Sequence, residues 1–183
     1  MVSLLRRRLL VAAAALPALP AFAQSRSLTC GDLTEAQTEG PFFKTKTPLR
    51  ASLVEAGSRA PTLVVGGQVL SRSCKPVAHA LLDFWHADEE GEYDNRGFRY
   101  RGHQFTDAGG RYRLVTNVPA EYPGRARHIH VKVQAPGKRV LTTQLYFPGE
   151  PGNRRDGLYR ADLEMRTAGR GAGDGTFDFV VEV

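Results

Sequence analysis

From Arg127 to Ala135 the chain alternates polar and apolar residues, with His128, His130, Lys132 and Gln134 set against Ile129, Val131 and Val133. A period of two sends successive side chains to opposite faces, which is the geometry of a strand and not of a helix. Short runs of the same kind recur. Thr62 to Leu70 carries Val64, Val65 and Val69 around Gly66-Gly67, where a bulge or bend is expected. Ser71 to Pro76 is a turn, Val77 to Trp85 a second strand, and Asp88 to Asn95 a polar loop. Asp107-Ala108-Gly109-Gly110 is a hairpin turn feeding Arg111 to Thr116. Pro136-Gly137 leads into Val140 to Phe147, and Thr176 to Val183 closes with Phe177, Phe179, Val181 and Val183 in alternation. Beyond residue 23 no long stretch keeps an apolar period of 3.6. Many short strands between Gly/Pro turns predict an all-β chain, an antiparallel β-sandwich, forming one domain over residues 61–183. Residues 24–60 lack the pattern, and Gly40-Pro41 bars a helix there, so an extended N-terminal arm is expected.

The first 23 residues are of another kind. Arg6, Arg7 and Arg8 precede the apolar run Leu9 to Ala23, which ends in Ala21-Phe22-Ala23. A basic start, a short apolar stretch and a small-x-small site read as a signal peptide, so the protein is expected to be exported, periplasmic or secreted. A membrane anchor is the competing reading, but the run is shorter than the roughly 20 residues of a span and holds two prolines, so no stable membrane insertion is expected. The arginines before Leu9-Leu10 fit a twin-arginine signal, and a Sec signal fits as well. The leader carries three arginines and no acid, so the formal net charge falls from +6 to +3 without it. The remaining charges are mixed, which argues against a nucleic-acid partner. There are two cysteines, Cys30 and Cys74. In an oxidising compartment a bridge is expected in preference to two buried thiols; it would close a loop of about 44 residues, worth about 4 kcal/mol in the chain-entropy model.

His128 and His130, two apart on a strand, share a face, so both imidazoles can converge on one metal while Ile129 packs on the other side. An HxH pair of this kind is as often simply packed or exposed. Tyr93 lies in the loop Gly91-Glu92-Tyr93-Asp94, and Tyr122 lies in Pro119-Ala120-Glu121-Tyr122-Pro123-Gly124, six residues before His128. Tyr100, Tyr112, Tyr146 and Tyr159 read as packing residues, and His86 and His103 as structural or exposed. Asp83 and Asp94 make no persuasive carboxylate pair, and there is neither a phosphate-cradling Gly-rich loop nor a supported Ser-His-Asp set.

Taken in order, Cys74-Lys75-Pro76-Val77-Ala78, Leu82-Asp83-Phe84-Trp85-His86-Ala87, Gly91-Glu92-Tyr93, Arg101-Gly102, Thr106-Asp107, Tyr122-Pro123-Gly124-Arg125, His128-Ile129-His130 and Thr143-Gln144-Leu145 resemble the intradiol ring-cleavage dioxygenase family. Protocatechuate and catechol dioxygenases belong to it. The resemblance spans roughly residues 38–160. It implies a non-haem Fe(III) held in long loops by Tyr93, Tyr122, His128 and His130. It further implies that Tyr93 and His128 remain bound, while Tyr122 yields to the incoming catechol and acts as a general base. Arg125 would stabilise charge on the substrate ring, with Gln144 beside it as an orienting residue. The implied partners are a small aromatic diol and O2, and the implied product is a muconate-type diacid. Glu121 and Arg127 depart from the family's usual residues and are expected at the pocket entrance. The helical N-terminal segment of the cytosolic catechol dioxygenases is absent, so their dimer mode is not carried over and a homo-oligomer is left open. Two other readings compete. The stretch Gly67 to Leu82 with Thr106 to Tyr112 also resembles prealbumin-like, non-catalytic binding modules, and a copper or zinc site could use His128, His130 and a third histidine.

Overall fold

The structure is a computed structural model and describes residues 31–167 and 174–183. Among the described residues nine strands run in chain order: β1 (Thr62–Ser71), β2 (Leu81–Trp85), β3 (Arg101–Phe105), β4 (Arg111–Asn117), β5 (His128–Gln134), β6 (Leu141–Tyr146), β7 (Arg166–Thr167), β8 (Gly175–Thr176) and β9 (Phe179–Val181). They form two sheets. One has the order β3-β2-β5-β6 and is antiparallel throughout. The other has the order β4-β1-β8-β7, with β9 also against β1. Between them lies the core. Leu82 and Phe84 of β2 and Ile129, Val131 and Val133 of β5 join Leu63, Val65 and Val69 of β1 and Leu114 of β4 in one fully buried cluster. Each such side chain contributes about 1.5–3 kcal/mol relative to leaving it in water.

The strand pairing dictates what the other face of the four-stranded sheet carries. Arg101 pairs with Trp85, Trp85 with His130, and His130 with Gln144, so these four residues form one row across all four strands. His128 pairs with Tyr146 two residues away along β5. The arm covers this face at its margins. Thr143 Oγ1 donates to the Glu35 carbonyl and Gln37 N to the Thr142 carbonyl along the β6 edge. On the β3 edge, His103 N donates to the Pro48 carbonyl and Arg50 N to the His103 carbonyl. Both free edges of the sheet are thus blocked by the chain's own backbone, which removes a template for aggregation.

The elements differ from the alternation pattern in four places. β2 begins at Leu81 and not at Val77, because residues 77–80 turn, with His79 at φ +55° and Ala80 N donating to Thr106 Oγ1. β3 is a strand that alternation missed, since Arg101-Gly102-His103-Gln104 offers no apolar stripe; it is buried through hydrogen bonds and neighbours instead. The closing segment splits into β8 and β9 around Phe177-Asp178. There the Asp178 carboxylate, not a main-chain carbonyl, accepts from Gln68 N, so the irregularity falls opposite Gly66-Gly67 and not within β1. A Cβ on Gly67 would stand 1.8 Å from the Phe177 carbonyl oxygen, which is why a glycine sits at that crossing. Finally, β8 and β9 run parallel to β1, so the second sheet is mixed.

Cys74 is disulfide-bonded. Cys30, the expected partner, lies outside the described residues, as does the leader at residues 1–23. Among the described residues no helix is long and apolar enough to cross a membrane.

Candidate metal centre

Two loops bring tyrosines to the histidine face of β5. The first follows β2 and is organised by its own carboxylates: Asp88 Oδ1 accepts from Glu90 N and Glu92 N, and Asp94 accepts from Arg96, Gly97 and Arg99 N. Those backbone donors hold the Asp94 carboxyl down at about 2. Tyr93 stands between the two caps. The second loop turns at Tyr122-Pro123-Gly124-Arg125, where Arg125 N donates to the Tyr122 carbonyl at 2.8 Å and Gly124 has φ +81°. Proline followed by a positive-φ glycine is the signature of a type II turn, and it places Tyr122 and Arg125 at its two ends. The loops are tied together by Ala120 N donating to the Asp88 carbonyl.

The result is a close group of donor atoms. Nε2 of His128 and Nε2 of His130 are 3.1 Å apart, and the Tyr93 hydroxyl is 3.4 Å from His128 Nε2. Two donors held about 2.1 Å from one ion at right or tetrahedral angles stand about 3.0–3.4 Å apart, so each of these two pairs has the spacing of donors to a shared cation. Tyr122 joins through its ring, edge-on to Tyr93 with centroids 5.9 Å apart, and it is half-buried. Among the described residues no group of three or more His, Cys, Asp and Glu gathers to hold an ion, so a metal here depends on tyrosine oxygen. The copper or zinc reading also needs a third histidine. His86 is occupied at both nitrogens, by the Ala87 carbonyl and Thr116 Oγ1, and His103 faces Thr47.

Burial sets the protonation states. It pushes His128 down to about 4 and His130 well below the ordinary histidine range, so both rings are neutral near pH 7, as ligands must be. His128 Nδ1–H donates to the Ala126 carbonyl at 2.5 Å, which leaves the Nε2 lone pair facing Tyr93 and His130. Burial raises the Tyr93 phenol, opposed by the nearby Arg125 and Arg101 guanidinium groups.

Beside the donors lies a polar network. Arg125 Nη2 donates to Gln144 Oε1 at 2.6 Å and to the Tyr146 hydroxyl at 3.2 Å. Gln144 is fully buried, and its Nε2 donates to the Thr38 carbonyl of the arm. Three further residues here were given no chemical role by the sequence. Tyr146 reads as a packing residue in the sequence but its hydroxyl sits in this network. Asp156 receives both Arg125 Nε and Ala126 N. Arg101, 1% exposed, donates to the Phe42 and Asp94 carbonyls, joining the arm to the Tyr93 loop. For Tyr146, pairing with His128 was the available signal, but it required the register; Arg101 stood in the Arg101-Gly102 motif without a role attached. Glu121 pairs with Arg155, and Arg127 with Glu150.

A family model described as dioxygenase matches residues 38–167. The chain is 33% identical over 174 residues to catechol 1,2-dioxygenase 2 of Acinetobacter lwoffii, covering 76% of this chain and 63% of that enzyme. It is 29% identical over 153 residues to a hydroxyquinol 1,2-dioxygenase of Nocardioides simplex, covering 70% of this chain and 52% of the other. The chain thus spans about half to two-thirds of the length of such curated relatives. Among solved structures, the dioxygenase domain of a dioxygenase–carbohydrate-binding protein fusion from Streptomyces sp. SirexAA-E is 56% identical, with a TM-score of 0.79, covering 83% of this chain and 99% of that domain. The 3-chlorocatechol 1,2-dioxygenase of Rhodococcus opacus 1CP is 27% identical with a TM-score of 0.71, covering 80% of this chain and 71% of that one. With the family model spanning most of its length and the two sheets superposing on such enzymes, this chain belongs to the intradiol ring-cleavage dioxygenase family.

Proposed function

We propose that Tyr93, Tyr122, His128 and His130 hold one non-haem ferric ion, and that the protein is an intradiol dioxygenase. It inserts both atoms of O2 into a catechol-type ring between the two hydroxyl-bearing carbons, giving a muconate-type diacid. The observation that carries this reading is the meeting of one tyrosine oxygen and two imidazole nitrogens at 3.1–3.4 Å in a buried site. Two phenolates are hard anionic donors suited to ferric iron, whereas two histidines and one carboxylate suit ferrous oxygenases. Once bound, the ion supplies the positive charge that deprotonates the tyrosine ligands and the substrate diol.

The chain's own residues do the rest. His128 presents Nε2 because its other nitrogen is committed to Ala126. Tyr122 is more exposed than Tyr93, so it is the ligand that can swing away and take a substrate proton as general base. Arg125, permanently charged and held by Gln144 and Tyr146, faces the negative charge that builds on the ring. Phe42, stacked on Tyr93 at 4.4 Å, and Trp85, stacked on His130, keep water from the ligands. The apolar leader read in the sequence supports work outside the cytoplasm, which fractionation of producing cells tests.

Protein purified from iron-replete cells is expected to carry iron and a red to purple absorption that shifts on adding catechol. An oxygen-uptake screen over catechol, protocatechuate, hydroxyquinol and larger diphenols is expected to show consumption with a diacid product for at least one. Colourless, iron-free protein that consumes no oxygen with any of them sinks the proposal.

A further inference from the structure

We propose that Asp156 is a positioning residue that holds the Arg125 guanidinium and the His128 imidazole in a common frame, through one buried carboxylate and the backbone of one residue, Ala126. The inference rests on the dioxygenase reading and assigns a role to a residue outside the ligand set. The Asp156 side chain is 1% exposed. Arg125 Nε lies 3.0 Å from both of its oxygens. Its Oδ2 also accepts from Ala126 N at 2.9 Å, and its Oδ1 from Leu158 N at 2.8 Å. The carbonyl of the same Ala126 accepts the Nδ1–H of His128. A single carboxylate therefore fixes the guanidinium on one side and, on the other, the residue whose carbonyl sets which histidine nitrogen is free to bind a metal.

The geometry explains why an acid and not an amide stands there. Both oxygens face N–H donors, so a carboxylate satisfies every one of them. An asparagine of the same shape would turn an NH2 toward Arg125 and toward either Ala126 N or Leu158 N, donor against donor. Partners that orient a metal-bound histidine commonly change metal affinity or activity by about 10–100-fold when removed. Here the same group also steers Arg125 Nη2 toward Gln144 and Tyr146.

Iron-loaded wild type, Asp156→Asn, Arg125→Ala and the double variant test this. The readouts are kcat, KM, the visible absorption, and the rate at which a chelator strips the iron. Asp156→Asn is expected to lower kcat about 10- to 100-fold with KM changed less. It is also expected to shift the absorption and to lose iron about 10-fold faster, whereas Arg125→Ala keeps its iron. In the double variant the two losses in kcat should not multiply, because Asp156 acts partly through Arg125. Wild-type kcat and iron retention in folded Asp156→Asn overturn the proposal, as does full multiplication of the two losses. If Asp156→Asn does not fold, Arg125→Lys, which keeps the charge but lacks the Nε–H, tests the same bond; wild-type kcat in that variant overturns the role. An iron-free, inactive wild type would instead overturn the dioxygenase reading itself.

Discussion

The indole of Trp85 lies flat on the imidazole of His130, with ring centroids 4.7 Å apart and planes 6° from parallel. The two residues are cross-strand neighbours on β2 and β5. His128 is oriented by a hydrogen bond to the Ala126 carbonyl, but Nδ1 of His130 is buried without a partner in the described residues. His130 is therefore oriented by stacking. Trp85→Leu is expected to destabilise the fold by about 3 kcal/mol and to weaken iron binding about 10-fold or more. Denaturant melts and chelator competition measure the two effects; unchanged iron affinity would show that stacking does not hold the ring.

Removal of a proposed ligand should be visible by eye. Tyr93→Phe and His128→Ala each delete a donor at 3.1–3.4 Å from its neighbours and are expected to lose iron and colour. Stoichiometric iron with wild-type turnover in either variant would show the ligand assignment to be wrong.

Arg125→Ala should separate binding from chemistry. The side chain donates to Gln144 and Tyr146 and is not among the proposed donors, so iron content is expected to stay near wild type. The turnover rate should fall on the order of 100-fold, the usual scale for removing one preorganised charge stabiliser. Steady-state oxygen uptake with parallel iron assays checks both halves, and an unchanged rate removes Arg125 from the mechanism.

Acid sensitivity should trace in part to His86. Its ring is 1% exposed and bonded at both nitrogens, and burial pushes its pKa down to about 4 from the ordinary 6.5. Because the folded value lies below the unfolded one, unfolding takes up a proton as pH falls. The contribution is whole above pH 6.5 and is lost progressively down to about pH 4, by about 3 kcal/mol. His86→Gln should show a flatter fall of melting temperature between pH 7 and pH 4 than wild type; identical slopes would contradict it.

Gly67→Ala is expected to destabilise the fold by about 3 kcal/mol, the upper end of the usual cost of overpacking a dense interior. Its Cβ would meet the Phe177 carbonyl oxygen at 1.8 Å, and backbone offers no rotamer by which to retreat. Urea denaturation measures the loss. The neighbouring Gly66→Ala, whose nearest such contact is 3.7 Å, serves as the control that should cost far less.

The sequence by itself determined the all-β class, the strand that carries His128 and His130, and the Pro-Gly loop that carries Tyr122. Each of these is local: a period of two, a Pro-Gly pair, an HxH spacing. The residues Tyr93, Tyr122, His128, His130, Arg125 and Gln144 were identified through family motifs, which record contacts between distant segments that no local pattern contains. Tertiary structure alone decided the rest. β3 was invisible because Arg101 and Gln104 are buried by hydrogen bonds and neighbours and not by being apolar. The parallel pairing of β8 and β9 with β1 was invisible because parallel and antiparallel strands share one side-chain period. Asp156 stands 31 residues from Arg125 in the chain, in a stretch with no strand or helix pattern, and only the folded sheet brings its carboxylate to the guanidinium. Periodicity reports which way a side chain points from its own backbone; which distant group it then meets is set by register and loop closure, and these exist only once the chain has folded.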